Sequence, residues 1–80
     1  MDKIMWGEAK IWCEEQGGRL PKLWELLKAY EEKEEGFVAI SYWSSTEGST
    51  TGAWYLYFYN GGADYSNKAS SYSVRCIFDK

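Results

Sequence analysis

AWYLYFYNGGADYSNKASSYSVRC, residues 53–76, carries the pattern from which the fold is read. Its first part alternates: Trp54, Leu56 and Phe58 fall on one side of an extended strand and Tyr55, Tyr57 and Tyr59 on the other. Asn60-Gly61-Gly62 is a hairpin signal, because left-handed backbone suits Gly and Asn and matches the twist of the flanking strands. Residues 63–68 are expected to form a short, irregular edge strand. Residues 73–78 are expected to close the sheet, with Val74, Cys76 and Phe78 on one face. From Ala53 to Ser73, 17 of 21 residues are Tyr, Ser, Ala, Gly, Asn or Asp. A hydrophobic core does not require those types. They are close to the alphabet of antibody-type surfaces, where Tyr supplies rigid contact area and Ser, Gly and Asn supply adaptable hydrogen bonds.

Upstream the period changes. Met5, Ala9, Trp12 and Cys13 recur at helical spacing over residues 3–16, with Asp2 as the expected N-cap and Gly17-Gly18 as the stop. Arg19-Leu20-Pro21 runs extended, since a residue before proline avoids helical backbone. A second helix is predicted over residues 22–33, burying Leu23, Leu26, Leu27 and Tyr30 with Trp24 beside them. Its acidic end, Glu31 to Glu35, opposes the helix dipole and is expected to fray before Gly36. Glu25, inside that helix after Trp24, is expected to be a partly buried carboxylate with a structural hydrogen bond to a loop. Phe37 to Ile40 and Tyr42 to Thr46 read as strand, and residues 47–52 (EGSTTG) as a turn. Helices first and strands afterwards, without alternation, predict an α+β domain over residues 1–80 with an antiparallel sheet.

At 80 residues such a domain has a marginal core, which five Trp, seven Tyr and three Phe help to fill. The net charge of −3 argues against a nucleic-acid partner, which calls for a basic patch. No apolar run approaches the length of a membrane span, and the first residues do not read as a signal peptide. The chain has no His, which removes the usual general base and the commonest metal ligand. Asp64 with Asn60 and Asn67 lacks the EF-hand spacing, and no glycine-rich phosphate loop precedes a helix. The expectation is a non-enzymatic protein that takes no cofactor and no metal. Cys13 and Cys76 either bridge, closing most of the chain into one loop, or remain two buried thiols.

The ordered series Trp6…Glu8-Ala9…Trp12-Cys13, Gly17-Gly18-Arg19-Leu20-Pro21…Glu25-Leu26, Tyr42-Trp43-Ser44-Ser45-Thr46-Glu47 and Ala53-Trp54-Tyr55…Phe58…Asn60-Gly61…Lys68…Val74-Arg75-Cys76 resembles bacterial and phage domains with a C-type lectin-like fold. The closest group is the short "WSST…VRC" family that includes the C-terminal domain of Legionella collagen-like proteins. The resemblance covers nearly the whole chain. It implies two helices followed by a small twisted antiparallel sheet, a Cys13–Cys76 disulfide, and display on a phage particle or bacterial cell surface. Two features depart from the pattern. Lys22 stands where family members often carry a helix-capping Thr, and the calcium- and sugar-binding words EPN, QPD and WND are absent.

Residues 53–76 are also similar to the variable region of proteins diversified by a retroelement, in which template adenines are randomised. An Asn codon such as AAC then yields Tyr, Ser, Asp, Ala or Gly. This resemblance makes Phe58, Gly61 and Lys68 the fixed positions. The ligand-binding ones are Tyr55, Tyr57, Tyr59, Asn60, Gly62, Ala63, Asp64, Tyr65, Ser66, Asn67, Ala69, Ser70 and Ser71. The partner expected is a protein or cell-surface receptor. The rival readings are a small acidic phage-encoded inhibitor acting through Glu31, Glu32, Glu34 and Glu35, and calcium-independent binding of a glycan on exposed Tyr and Trp54.

Overall fold

The computed structural model describes residues 3–78, so Asp2, the expected N-cap, lies outside the described residues. Ile4–Met5 is a short strand, β1, and the first helix, α1, spans Trp6–Glu15. It starts later than predicted because β1 is drawn into pairing with the last strand, β5 (Ser71–Tyr72). The free amide of Trp6 donates to the Lys68 carbonyl (3.2 Å), which caps the helix from across the chain. The buried stripe is accordingly Trp6, Ala9 and Cys13, with Trp12 half-buried, while Met5 is 40% exposed. At the other end Gly17 (φ +86°) takes the left-handed turn. Gly18 N–H then reaches the Cys13 carbonyl (2.8 Å) and Gly17 N–H the Glu14 carbonyl (3.0 Å), a Schellman closure.

The second helix, α2, spans Leu23–Glu31. Lys22 has no side chain suited to capping, and its place is taken by two others. Thr46 Oγ1, from the neighbouring strand, accepts the Leu23 N–H (3.0 Å), and the Glu25 carboxylate accepts the Lys22 N–H (2.7 Å). Leu26 and Ala29 are buried and Leu23 and Tyr30 half-buried, whereas Leu27 is exposed and Trp24 is 62% exposed. The docked stripe is narrower than predicted, as suits a helix of nine residues touching the sheet along one line. The acidic end does not simply fray. Lys33 adopts φ +53°, and Glu34 N–H closes onto the Ala29 carbonyl (3.0 Å), so the chain turns before Gly36.

Glu25 also receives two parallel hydrogen bonds from the Arg19 guanidinium, 2.8 Å each, which ties α2 to the extended segment that precedes it. Its side chain is largely buried, and these bonds hold its pKa at about 2 against the ordinary 4.5, outweighing the opposing effect of burial. A folded-state pKa below the unfolded one contributes stability that is complete above about pH 4.5 and is lost as pH falls toward 2. Glu25→Gln is therefore expected to cost about 1–2 kcal/mol at pH 7, a figure reduced for the half-exposed Arg19. The same variant should flatten the stability profile between pH 5 and 2. Urea titrations across that window check it, and an unchanged acid limb would contradict the assignment.

Three antiparallel strands form the larger sheet: β2 (Ser41–Glu47), β3 (Gly52–Tyr57) and β4 (Gly62–Asn67), in that order. Residues 37–40 are not part of it, and β4 is a regular strand rather than an irregular one. Between Trp43↔Tyr55 and Glu47↔Ala53 the register shifts, so β2 bulges. The closing segment is less regular than predicted. Only β5 is strand, pairing with β1. Residues 73–78 then run on through a parallel bridge of Ser73 to Tyr42 and an antiparallel bridge of Ile77 to Arg19.

The architecture is α+β, with two helices and two small antiparallel sheets among the described residues. Adjacent residues of β2 point to opposite sides, and each side has its own core. Trp43 joins Trp6, Ala9, Cys13, Leu20, Ala53 and Val74, while Tyr42 joins Leu26 and Leu56. Cys13 and Cys76 are disulfide-bonded. The sheet is thus covered on both faces at β2 and along β3 as far as Leu56, though not at β4, and this corrects the reading of β3 as a strand with one dry and one wet side.

Candidate functional site

The tyrosine-bearing stretch begins inside that double cover. Tyr55 was expected to point outward with Tyr57 and Tyr59. Instead it is half-buried, packed on the Trp43 core and stacked on Tyr72 with ring centroids 4.4 Å apart. Burial first, then the neighbouring Tyr72 and the Asp64 carboxylate, raise its pKa, so it remains a neutral phenol. Trp54, expected inward, is only half-buried, whereas Leu56 is fully buried and Phe58 packs on the Leu26 core. Two strand residues later the cover ends. Tyr57 is 38% exposed, Tyr59 in the following turn is 71% exposed, and their rings stack at 5.7 Å.

The register of β4 on β3 decides which of the other positions share that face. Tyr57 opposes Gly62, Tyr55 opposes Asp64 and Ala53 opposes Ser66, so these lie on the tyrosine side. Ala63, Tyr65 and Asn67 lie on the other side, where Tyr65 opposes Trp54 with ring centroids 5.5 Å apart. The Tyr65 ring also covers Gly52, whose missing side chain leaves room for it. The thirteen predicted positions therefore form no single-faced patch. They occupy the end of β3, both sides of the edge strand β4, the turns at its two ends and the start of β5.

Those turns are organised by their own short polar side chains. Asn60 Oδ1 accepts the Gly62 N–H (2.8 Å) and Asn67 Oδ1 accepts the Ala69 N–H (2.8 Å), each an Asx turn. Ser66 Oγ donates to Ser70 Oγ (3.1 Å), and both residues are half-buried. Asp64 Oδ1 accepts the Tyr65 N–H (2.8 Å) at the strand edge. Asn60, Gly62, Ala63, Asp64, Asn67, Ala69 and Ser71 are exposed.

The three positions set apart as fixed behave differently. Phe58 stacks face to face on Phe37 (4.4 Å) and meets Tyr30 and Tyr42 edge-on. Gly61 has φ +73°, and a Cβ there would come within 2.5 Å of the Tyr30 ring. Lys68 Nζ donates to Glu47 Oε2 (2.6 Å) and to the Thr50 carbonyl (3.0 Å), and lies 4.4 Å from the Trp6 ring centroid. That contact with Lys68 pulls the Glu47 carboxyl below its usual range.

Among the described residues no three His, Cys, Asp or Glu side chains are grouped to hold a metal ion, and no helix is long and apolar enough to cross a membrane. No protein-family model matches the chain, and no curated protein matches it.

Proposed function

We propose that the chain is a non-enzymatic ligand-binding module of the C-type lectin-like kind, similar to retroelement-diversified variable proteins. On this reading it meets a protein partner through the Tyr57–Tyr59 face and the adjoining β4 edge and turns. The observation that supports it best is the contrast just described. Phe58, Gly61 and Lys68 are each anchored by packing or polar contacts, while most of the positions around them carry exposed side chains with no role in the core. A scaffold that tolerates variation at a surface needs that division. Tyr55 and Tyr65 stand apart: the first supports the core and the second shields Gly52.

The test is a displayed library randomised at Tyr57, Tyr59, Ala63, Asp64, Ala69 and Ser71, with the turn-forming Asn60 and Asn67 kept. Most members are expected to unfold cooperatively with stabilities within about 1 kcal/mol of the parent, as exposed positions allow. The library should also yield binders to a purified target such as lysozyme. Converting Tyr57 and Tyr59 of a tyrosine-bearing binder to Ala should abolish binding and leave its unfolding midpoint nearly unchanged. A library that is largely unfolded, or binders indifferent to those two tyrosines, would sink the reading.

A further inference from the structure

Where the two sheets meet, the chain forms a groove of about 300 Å³ that the sequence did not single out. Its walls are Tyr57 and Tyr72, and Lys3, Ala39, Ile40, Ser41 and Ser71 complete its lining. The strand registers bring these distant residues together. Ser41 opposes Tyr57 across β2 and β3, and Ile4 opposes Tyr72 across β1 and β5, which sets Lys3 beside the second tyrosine. Tyr72 is held in place by the Trp43 ring edge-on (4.8 Å) and by the Tyr55 stack. One wall is therefore rigid scaffold, and the other belongs to the exposed tyrosine pair.

We propose that this groove binds the side-chain carboxylate of an aspartate or glutamate in an extended segment of a protein partner. The inference rests on the binding-module reading above. Its warrant is the polarity of the lining. The Lys3 ammonium forms no ion pair among the described residues, and the Ser41, Ser71 and Tyr57 hydroxyls have no hydrogen-bond partner among them. Every one of these groups can donate, the three hydroxyls can also accept, and no carboxylate among the described residues lines the groove. Asp64 shares the tyrosine face, but its Oδ1 already accepts the Tyr65 N–H. The hydroxyls serve either kind of ligand, so the choice falls to the Lys3 ammonium, unpaired among the described residues, which favours an acceptor bearing negative charge and disfavours an amine or guanidinium. Such complementarity contributes selectivity even where it adds little net affinity. The two tyrosine rings suit the methylene stem of the same side chain and the backbone beside it.

The test uses a phage-displayed random dodecamer library panned on the intact protein, followed by synthetic peptides with amidated ends, so that only side-chain carboxylates remain. The selected peptides are expected to be enriched in Asp or Glu at one position. Changing that residue to Gln should weaken binding at least 10-fold by fluorescence anisotropy, and raising the salt should weaken it further. Lys3→Glu should cost at least 10-fold as well and should regain affinity for the peptide carrying Lys at that position. Lys3 is exposed, so the variant is expected to fold, and the peptide-side change is read on the unaltered protein in any case. Peptides that need Tyr57 but have no acidic preference and ignore Lys3→Glu would overturn the groove assignment and leave the binding surface standing. Peptides indifferent to Tyr57, Tyr59 and Lys3 alike would overturn both. Neutral glycans competing for the groove without regard to Lys3 would also overturn the carboxylate assignment.

Discussion

Replacing Cys13 and Cys76 together by Ser is expected to lower the free energy of unfolding by about 4 kcal/mol, the value the chain-entropy model gives for a bridge spanning 63 residues. A chain of 80 residues has a net stability on the order of 4–12 kcal/mol, so the variant would lose a third or more of it. The location explains why little else compensates. Cys13 is fully buried on α1, and Cys76 lies in the irregular final segment, attached to the remainder by the Ser73 and Ile77 bridges and by the burial of Val74. With the link removed, that segment is expected to open first, so amide exchange should accelerate at Ile77 and Arg19 before it does in β2 and β3. Urea unfolding of the oxidised protein, the reduced protein and the double variant measures the effect. A loss below 1 kcal/mol would show that the fold does not depend on the bridge.

Trp43→Ala is expected to cost a similar amount, about 3–5 kcal/mol, through the cavity left by a fully buried ring. Its indole N–H donates to the Ile4 carbonyl (2.8 Å), and its edge supports Tyr72, so one side chain joins the larger sheet to both strands of the smaller. Trp43→Phe separates these contributions. It keeps much of the packing and removes the donor, leaving the Ile4 carbonyl unmet at a cost of about 1–3 kcal/mol. Both variants should weaken the near-ultraviolet circular dichroism of the Tyr55–Tyr72 stack and, with it, any ligand that enters beside Tyr72. Stability losses near zero for the alanine variant would mean that the two sheets are held together elsewhere.

Much of this architecture was legible because it rests on short-range signals. The period of 3.6 marked both helices, the glycine pair after Gln16 marked the end of the first, and Asn60-Gly61-Gly62 marked the hairpin. The errors share a cause. Alternation along residues 54–59 fixes which side chains oppose one another but not which face is covered. The Trp43 core and Tyr72 cover the face that was read as free, so Tyr55 is half-buried. The same ambiguity placed Met5 in the helix stripe, where β1 pairing puts Trp6 instead, and placed Leu27 on the buried face of the second helix, where it is exposed. Trp6 carried a usable signal, an aromatic three and seven residues before Ala9 and Cys13. The groove carried none, since Lys3, Ser41 and Tyr72 lie in three separate parts of the chain.

By itself, then, the sequence determined the α+β order, the two helices, the hairpin and a polar, tyrosine-rich surface alphabet, because each depends on residues within a few positions of one another. It left the two cysteines open. Only the tertiary structure decided that they are bridged, that both faces of β2 and most of β3 are covered, that Thr46 serves as the cap Lys22 cannot be, and that the edge strand divides the surface residues between two sides. Those outcomes depend on register and on contacts between segments far apart in the chain, and no local pattern encodes which of two faces a distant segment will cover.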